Sequence, residues 1–209
     1  MTASPHVIHL DDSLLVVDKP AGLPSVPGRA EGLLDCMASR VLAIAPDALV
    51  VHRLDMATSG LLLFARGKAM QRQLSEAFAQ REVGKRYEAV VAGRMAEDEG
   101  TIDLPLIADW PNRPLQKVDL MEGKPSITRF RVMERAAGTT RVELEPLTGR
   151  SHQLRVHLLA LGHPILGDGL YAPKEVRDRA PRLLLHARQL ELAHPVSGQA
   201  MRFESPVPF

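Results

Sequence analysis

Aromatic residues and cysteine are scarce in this sequence: Phe, Trp and Tyr make up 4% of 209 residues, and Cys36 is the single thiol. One cysteine excludes a disulfide scaffold and points to a reducing, cytoplasmic compartment. So few rings argue against a broad base-stacking platform of the RRM kind. Charge of one sign is missing as well. Lys and Arg number 26 against 25 Asp and Glu, a net charge of +1, which taken alone argues against holding a polyanion by bulk electrostatics. No apolar run approaches the roughly 20 residues that span a bilayer. The start Met1-Thr2-Ala3-Ser4-Pro5 has neither a basic region nor an apolar signal core, so no membrane partner is expected.

What is present is an ordinary globular composition, 45% hydrophobic and 24% charged, on a chain long enough to bury a continuous interior. The neutral total hides an asymmetry. Residues 1–65 are net acidic, whereas Arg66 to Arg94 and Lys174 to Arg188 are basic, so a positive face is available to a polyanion. Periodicity predicts strands at Leu14–Val17, Tyr87–Val91, Leu183–Leu192 and Met201–Glu204, and a hairpin joining Ile127–Met133 to Arg141–Leu147. Helices are expected over Leu33–Ile44, stopped before Pro46, and around Met70, Leu74 and Phe78, ending near Gly84. A third is expected from a Ser151 cap, with Leu154, Leu158 and Leu161 inward and Gly162 at its end. With no repeat or linker, the expectation is an α+β fold: one domain spanning 1–209, with a central mixed, largely antiparallel sheet flanked by helices and loops.

Two polar clusters stand out. His52 to Gly60 lies between the apolar runs Val50-Val51 and Leu61–Phe64, which makes it a loop on a rigid scaffold, where functional side chains are commonly displayed. Thr58, Ser59 and Gly60 can fix the turn and leave Arg53 and Asp55 to project; the alternative is a plain exposed turn. The second cluster is Thr148-Gly149-Arg150-Ser151-His152-Gln153-Leu154-Arg155-Val156-His157. His152 and Arg155 share a helix face, and Arg155, next to the buried stripe, needs a carboxylate, for which Asp55 is a suitable partner. A metal site is not expected. His152 and His157 are five apart rather than four, and there is no second thiol.

At this point the sequence resembles the RluA family of RNA pseudouridine synthases over nearly its whole length. The resemblance rests on Val17-Asp18-Lys19-Pro20-Ala21-Gly22-Leu23, His52-Arg53-Leu54-Asp55 with Thr58-Ser59-Gly60, and Lys85-Arg86-Tyr87. It continues through Leu147-Thr148-Gly149-Arg150 to His157, Gly162-His163-Pro164-Ile165-Leu166-Gly167-Asp168 and Leu184-Leu185-His186-Ala187. Asp109-Trp110-Pro111-Asn112-Arg113-Pro114 with Gln116-Lys117-Val118 resembles the family's short member, which acts on both ribosomal and transfer RNA. The S4-type RNA-binding domain of many relatives is absent from the segment before Leu14.

The resemblance implies an isomerase that breaks the N1–C1′ bond of a uridine, turns the base and joins C5 to C1′. That reaction has no net redox change and needs no cofactor. Asp55 is then the catalytic aspartate, nucleophile at C1′ or base at C2′. Tyr87 stacks on the uracil and assists at C5, and Arg155 keeps Asp55 ionised. Leu154 packs beneath the base, and Arg53 enters the space vacated when the uridine is flipped out. His52 and Arg150 complete the expected substrate-binding set. The partners implied are stem-loops of rRNA and tRNA, engaged by a monomer. Two other readings are a noncatalytic RNA-folding chaperone on the same fold, opposed by the intact Asp55, Tyr87 and Arg155 set, and a glycosidase on free nucleosides, which leaves the basic segments unexplained.

Overall fold

The apolar runs at Leu14–Val17 and Leu61–Ala65 become paired strands in the computed structural model, which describes residues 4–28 and 34–209. In chain order the first elements are β1 (His6–Leu10), β2 (Leu14–Lys19), α1 (Met37–Leu42), β3 (Ala48–Val50), β4 (Ser59–Arg66) and α2 (Gly67–Ala79). Next come β5 (Gly84–Ala92), β6 (Glu99–Asp103), β7 (Leu106–Ala108), β8 (Gln116–Val118), β9 (Ile127–Ala136) and β10 (Thr139–Pro146). The chain closes with α3 (Gln153–Ala160), α4 (Lys174–Arg177), β11 (Leu185–Ala193) and β12 (Ala200–Glu204). The fold is α+β, with a largely antiparallel sheet and few helices, as the periodicity predicts.

The chain divides into two compact units, Met1–Lys85 with Ala187–Pro208, and Arg86–His186 with Phe209. In the first, strands follow the order β1-β2-β4-β11, with β3 on β4 and β12 on β11. Leu14 to Val17 are all fully buried, which is why β2 reads as a continuous apolar run rather than an alternating one. Leu74 of α2 packs with Leu14, Val16, Leu61, Leu63, Leu190 and Phe203, and Met70 and Phe78 flank it at four-residue spacing. Gly60, at φ +112°, is where β4 meets β11: a Cβ there would lie 2.3 Å from the Ala187 carbonyl oxygen.

In the second unit the order is β5-β10-β9-β6, with β7 and β8 paired apart as a small two-stranded arm. The predicted hairpin is present as β9 and β10, closed at Ala137-Gly138 with Gly138 at φ +71°. Segment 164–168 is laid along β5 by hydrogen bonds from Ala92 N–H to the Pro164 carbonyl (2.9 Å) and from Leu166 N–H to the Val90 carbonyl (2.9 Å).

Several boundaries differ from expectation for local reasons. The first helix begins at Met37 because Cys36 and Ser39 form a reciprocal cap, and it ends at Leu42, with Ile44 already in a turn ahead of Pro46. Leu33, its expected start, lies outside the described residues. Helix α2 stops at Ala79, not near Gly84. Arg81 takes a left-handed φ of +64°, and the N–H groups of Arg81 and Glu82 return to the Phe78 and Ala77 carbonyls. Ser151 does not cap α3. It lies in an exposed turn, and His152, left-handed at φ +55°, precedes the first helical residue. Leu161 was expected on the buried stripe, but as the C-cap it turns outward and is 39% exposed. Among the described residues, no helix is long and apolar enough to cross a membrane.

Candidate functional site

Loop 51–58 connects β3 to β4, and its side chains alternate between anchoring and display. His52 points inward. Its ring stacks on Phe78 at 4.5 Å, and Nε2 accepts the Leu63 N–H at 3.0 Å. Burial, reinforced by the nearby Lys85 charge, pushes its pKa down to about 3, so the ring is neutral and remains an acceptor. Arg53 is exposed, Leu54 is buried and Asp55 is half-buried. The expectation of an Arg and an Asp displayed from an anchored loop matches this alternation.

The anchors come from the segment Lys19 to Ser25. Ser25 Oγ donates to the Leu54 carbonyl at 2.7 Å and accepts the Leu54 N–H at 3.0 Å, so both backbone groups beside Asp55 are taken up by one hydroxyl. Gly22 N–H donates to the Met56 carbonyl at 2.8 Å. Lys19, fully buried, points Nζ at the carbonyls of Pro20 (2.9 Å), Leu23 (2.7 Å) and Met56 (3.2 Å). A buried ammonium persists only where its protons are taken up by oxygens, and here they tie the Pro20–Leu23 segment to Met56, the residue after Asp55. Thr58 N–H closes the turn on the Asp55 carbonyl at 3.1 Å.

In the second unit, Tyr87 lies in β5, half-buried and opposite Leu144 of β10. The other expected residues gather around the start of α3. Gln153 is the organiser: its Oε1 accepts from Thr148 Oγ1 (2.8 Å) and Arg150 N–H (3.0 Å), while Nε2 donates to the Ile127 carbonyl and Thr128 Oγ1, both at 3.0 Å. This clamps Arg150 at the helix entrance with its side chain exposed, Nε reaching the Pro125 carbonyl at 3.3 Å. Leu154 is buried, 7% exposed.

Arg155 is also buried and grips Asp168 in a two-point ion pair, Nε to Oδ2 at 2.8 Å and Nη2 to Oδ1 at 2.6 Å. Asp168 in turn accepts the N–H groups of Leu170 (2.9 Å) and Tyr171 (3.2 Å), and the Arg155 guanidinium carbon lies 5.0 Å from the Tyr171 ring centre. Such a pair fixes the guanidinium plane, because each donor in the fork has one acceptor geometry that satisfies it. The Tyr171 hydroxyl shares a 2.6 Å hydrogen bond with His152 Nδ1. His157 uses both nitrogens internally, on Thr128 Oγ1 (2.9 Å) and the Leu104 carbonyl (3.0 Å), which leaves no lone pair for a metal.

Three contributors carried no role in the sequence reading. Lys19 sat inside a matched motif without a task, and only its complete burial shows one. Asp168 could have been found by asking which carboxylate serves a desolvated Arg155, yet sequence spacing does not separate it from other acids. Tyr171 gave no signal, since its importance comes from what its hydroxyl and ring touch.

Comparison with known proteins bears on the family of the chain. Residues 13–160 match the family model described as RNA pseudouridylate synthase. The chain is 54% identical over 204 residues to the dual-specificity RNA pseudouridine synthase RluA of Escherichia coli K12, covering 97% of this chain and 93% of that one. Against the Yersinia pestis protein of the same name it is 53% identical, covering 97% and 99%. Among solved structures, human RNA pseudouridylate synthase domain containing 1 superposes with a TM-score of 0.82 at 30% identity, covering 99% of this chain and 84% of that chain. Domain containing 4 gives 0.79 at 27%, covering 97% and 88%.

Proposed function

Because the chain belongs to the RluA family of RNA pseudouridine synthases, we propose that it isomerises specific uridines in stem-loops of both large-subunit rRNA and the tRNA anticodon arm. It is an isomerase that acts on RNA. The observation that carries the reading is the anchoring of Asp55: Ser25, Gly22 and Lys19 hold the backbone on both sides of one half-buried carboxylate. A carboxylate that must meet C1′, or the proton on C2′, in a single orientation needs such a rigid base.

Asp55 serves as nucleophile or base. Tyr87 stacks on the uracil and assists proton removal at C5, and Leu154 supplies an apolar floor. Arg155, its orientation set by Asp168, serves as the cationic group of the reaction. Arg53, exposed at the loop's outer side, stacks where the flipped uridine has left its neighbours and offsets part of an unstacking cost of a few kcal/mol. Arg150, exposed at the entrance of α3, contacts the RNA backbone, and His52 contributes by fixing the loop that carries Arg53. In this reading residues 1–209 are one catalytic domain, acting as a monomer in the cytoplasm.

Release of tritium from transcripts labelled at uridine C5 tests this reading, with the rRNA hairpin and the tRNA arm assayed separately. Release from both supports dual action, release from one narrows the substrate, and retention of label in both overturns the proposal.

A further inference from the structure

The small arm formed by β7 and β8 supplies none of the catalytic or substrate-binding side chains named above, and the loop joining its strands carries the chain's one tryptophan. Trp110 is 66% exposed. A tryptophan kept out of the interior forgoes the largest apolar burial a side chain can offer. Its loop is built to keep it there. Asp109 N–H donates to the Leu115 carbonyl (2.9 Å), Leu115 N–H to the Asn112 carbonyl (3.0 Å), Asn112 N–H to the Asp109 carbonyl (3.0 Å), and Asn112 Nδ2 to the Asp109 carboxylate (2.9 Å). Pro111 and Pro114 stiffen it further.

Arg113 lies flat against the indole, its guanidinium carbon 3.1 Å from the ring centre. With one face covered in this way, exposure on that scale leaves the other face and the edge open. The acids beside it are engaged within the arm: Asp109 by Asn112, and Asp119 by the N–H groups of Met121 and Glu122 and by Lys117. The base of the arm is latched to the site region, since Gln116 N–H donates at 2.9 Å to the same Tyr171 hydroxyl that meets His152.

We infer that Trp110 and Arg113 form a second base-binding site, at which an unpaired base of the substrate RNA other than the target uridine stacks on the open indole face. An indole accepts any base through its π-face, and a guanidinium beside it pairs with the phosphate that accompanies that base. The inference rests on the proposed RNA substrate and assigns the arm a recognition task that Asp55 and Arg155 do not perform.

Trp110 itself is the reporter, because no other tryptophan contributes emission. Titrating the protein with an anticodon stem-loop transcript is expected to quench its fluorescence substantially, whereas a fully paired RNA duplex of equal length leaves it unchanged. In tritium-release assays on the stem-loop, Trp110→Ala is expected to raise KM about tenfold, from the usual effect of truncating a base-stacking aromatic, with kcat within about twofold. Trp110→Phe should recover most of the loss. Unchanged emission at saturating stem-loop, equal quenching by the duplex, or an unaltered KM in Trp110→Ala overturns the inference. Because the unsubstituted protein's own tritium release is measured in parallel, failure of this inference is distinguishable from failure of the proposed activity.

Discussion

At the scale of single residues, loop 51–58 separates two kinds of importance that a motif does not distinguish. Arg53 and Asp55 are displayed, whereas His52 and Leu54 are turned inward and hold them in place. Substituting the two kinds should therefore fail in different ways. Asp55→Asn is expected to keep the fold and bind stem-loop RNA while turnover falls by about three orders of magnitude or more. Arg53→Ala should weaken stem-loop binding more than Asp55→Asn does, as gel-shift or anisotropy titration would show; equal losses would remove the base-replacement role. Lys19→Met takes the ammonium donor from three carbonyls, that of Leu23 buried and those of Pro20 and Met56 partly so, and a loss of about 3 kcal/mol is expected in urea unfolding. Measured stability within about 1 kcal/mol of the parent would show that Lys19 does not pin the loop.

At the scale of elements, helix and strand identities were legible wherever apolar spacing was strong. Leu74 with Met70 and Phe78 marks α2, and the fully apolar β2 and the alternating β9–β10 hairpin read directly from the chain. Ends were not legible, because they depend on one residue's backbone. Arg81 stops α2 in a left-handed turn, and His152 does the same ahead of α3 in place of the expected Ser151 cap. Of the candidate site, Asp55, Tyr87, Leu154 and Arg155 could be named from sequence, but Asp168 and Tyr171 could not, since pairing across 13 residues and a shared hydroxyl leave no spacing signature. Gly167 shows what holds Asp168 in place. At φ +73°, a Cβ there would lie 1.7 Å from the Arg182 carbonyl oxygen, so Gly167→Ala should cost about 3 kcal/mol or more and lower activity with it. Gly149→Ala, with open space around it, should stay within about 0.5 kcal/mol of the parent, and differential denaturation of the two variants checks the contrast.

At the scale of the whole molecule, burial of His52 makes stability depend on pH in a calculable direction. Its pKa is held at about 3 against an ordinary 6.5, so between those values the unfolded chain binds a proton that the folded chain refuses, and stability falls as pH falls through that window. Asp11 pulls the same way further down. Burial opposes its ionisation, but hydrogen bonds from His9, Ser13 N–H and Leu14 N–H outweigh this and hold it at about 2 against 3.8, so its contribution is complete above 3.8 and lost as pH falls through 2. Melting temperature should therefore be flat from pH 7 to 8 and decline below 6.5, with His52 accounting for a loss on the order of 2 kcal/mol by pH 4 after allowing for its partial exposure. His52→Gln should lessen the decline between pH 6.5 and 5, where carboxylates contribute little, and His157, whose pKa burial also lowers, carries what remains. None of this depends on net charge, and the +1 balance that first argued against a nucleic-acid partner describes only nonspecific grip. An enzyme that must release its RNA is served by local contacts of the kind assigned to Arg53, Arg150 and Trp110. The most direct test of the central claim is to digest stem-loop RNA to nucleosides after incubation with the parent protein or Asp55→Asn, and resolve them by chromatography and mass. The account predicts a nucleoside of uridine's mass but different retention from the parent protein and uridine alone from Asp55→Asn; absence of that isomer, or its equal formation by both proteins, would contradict it.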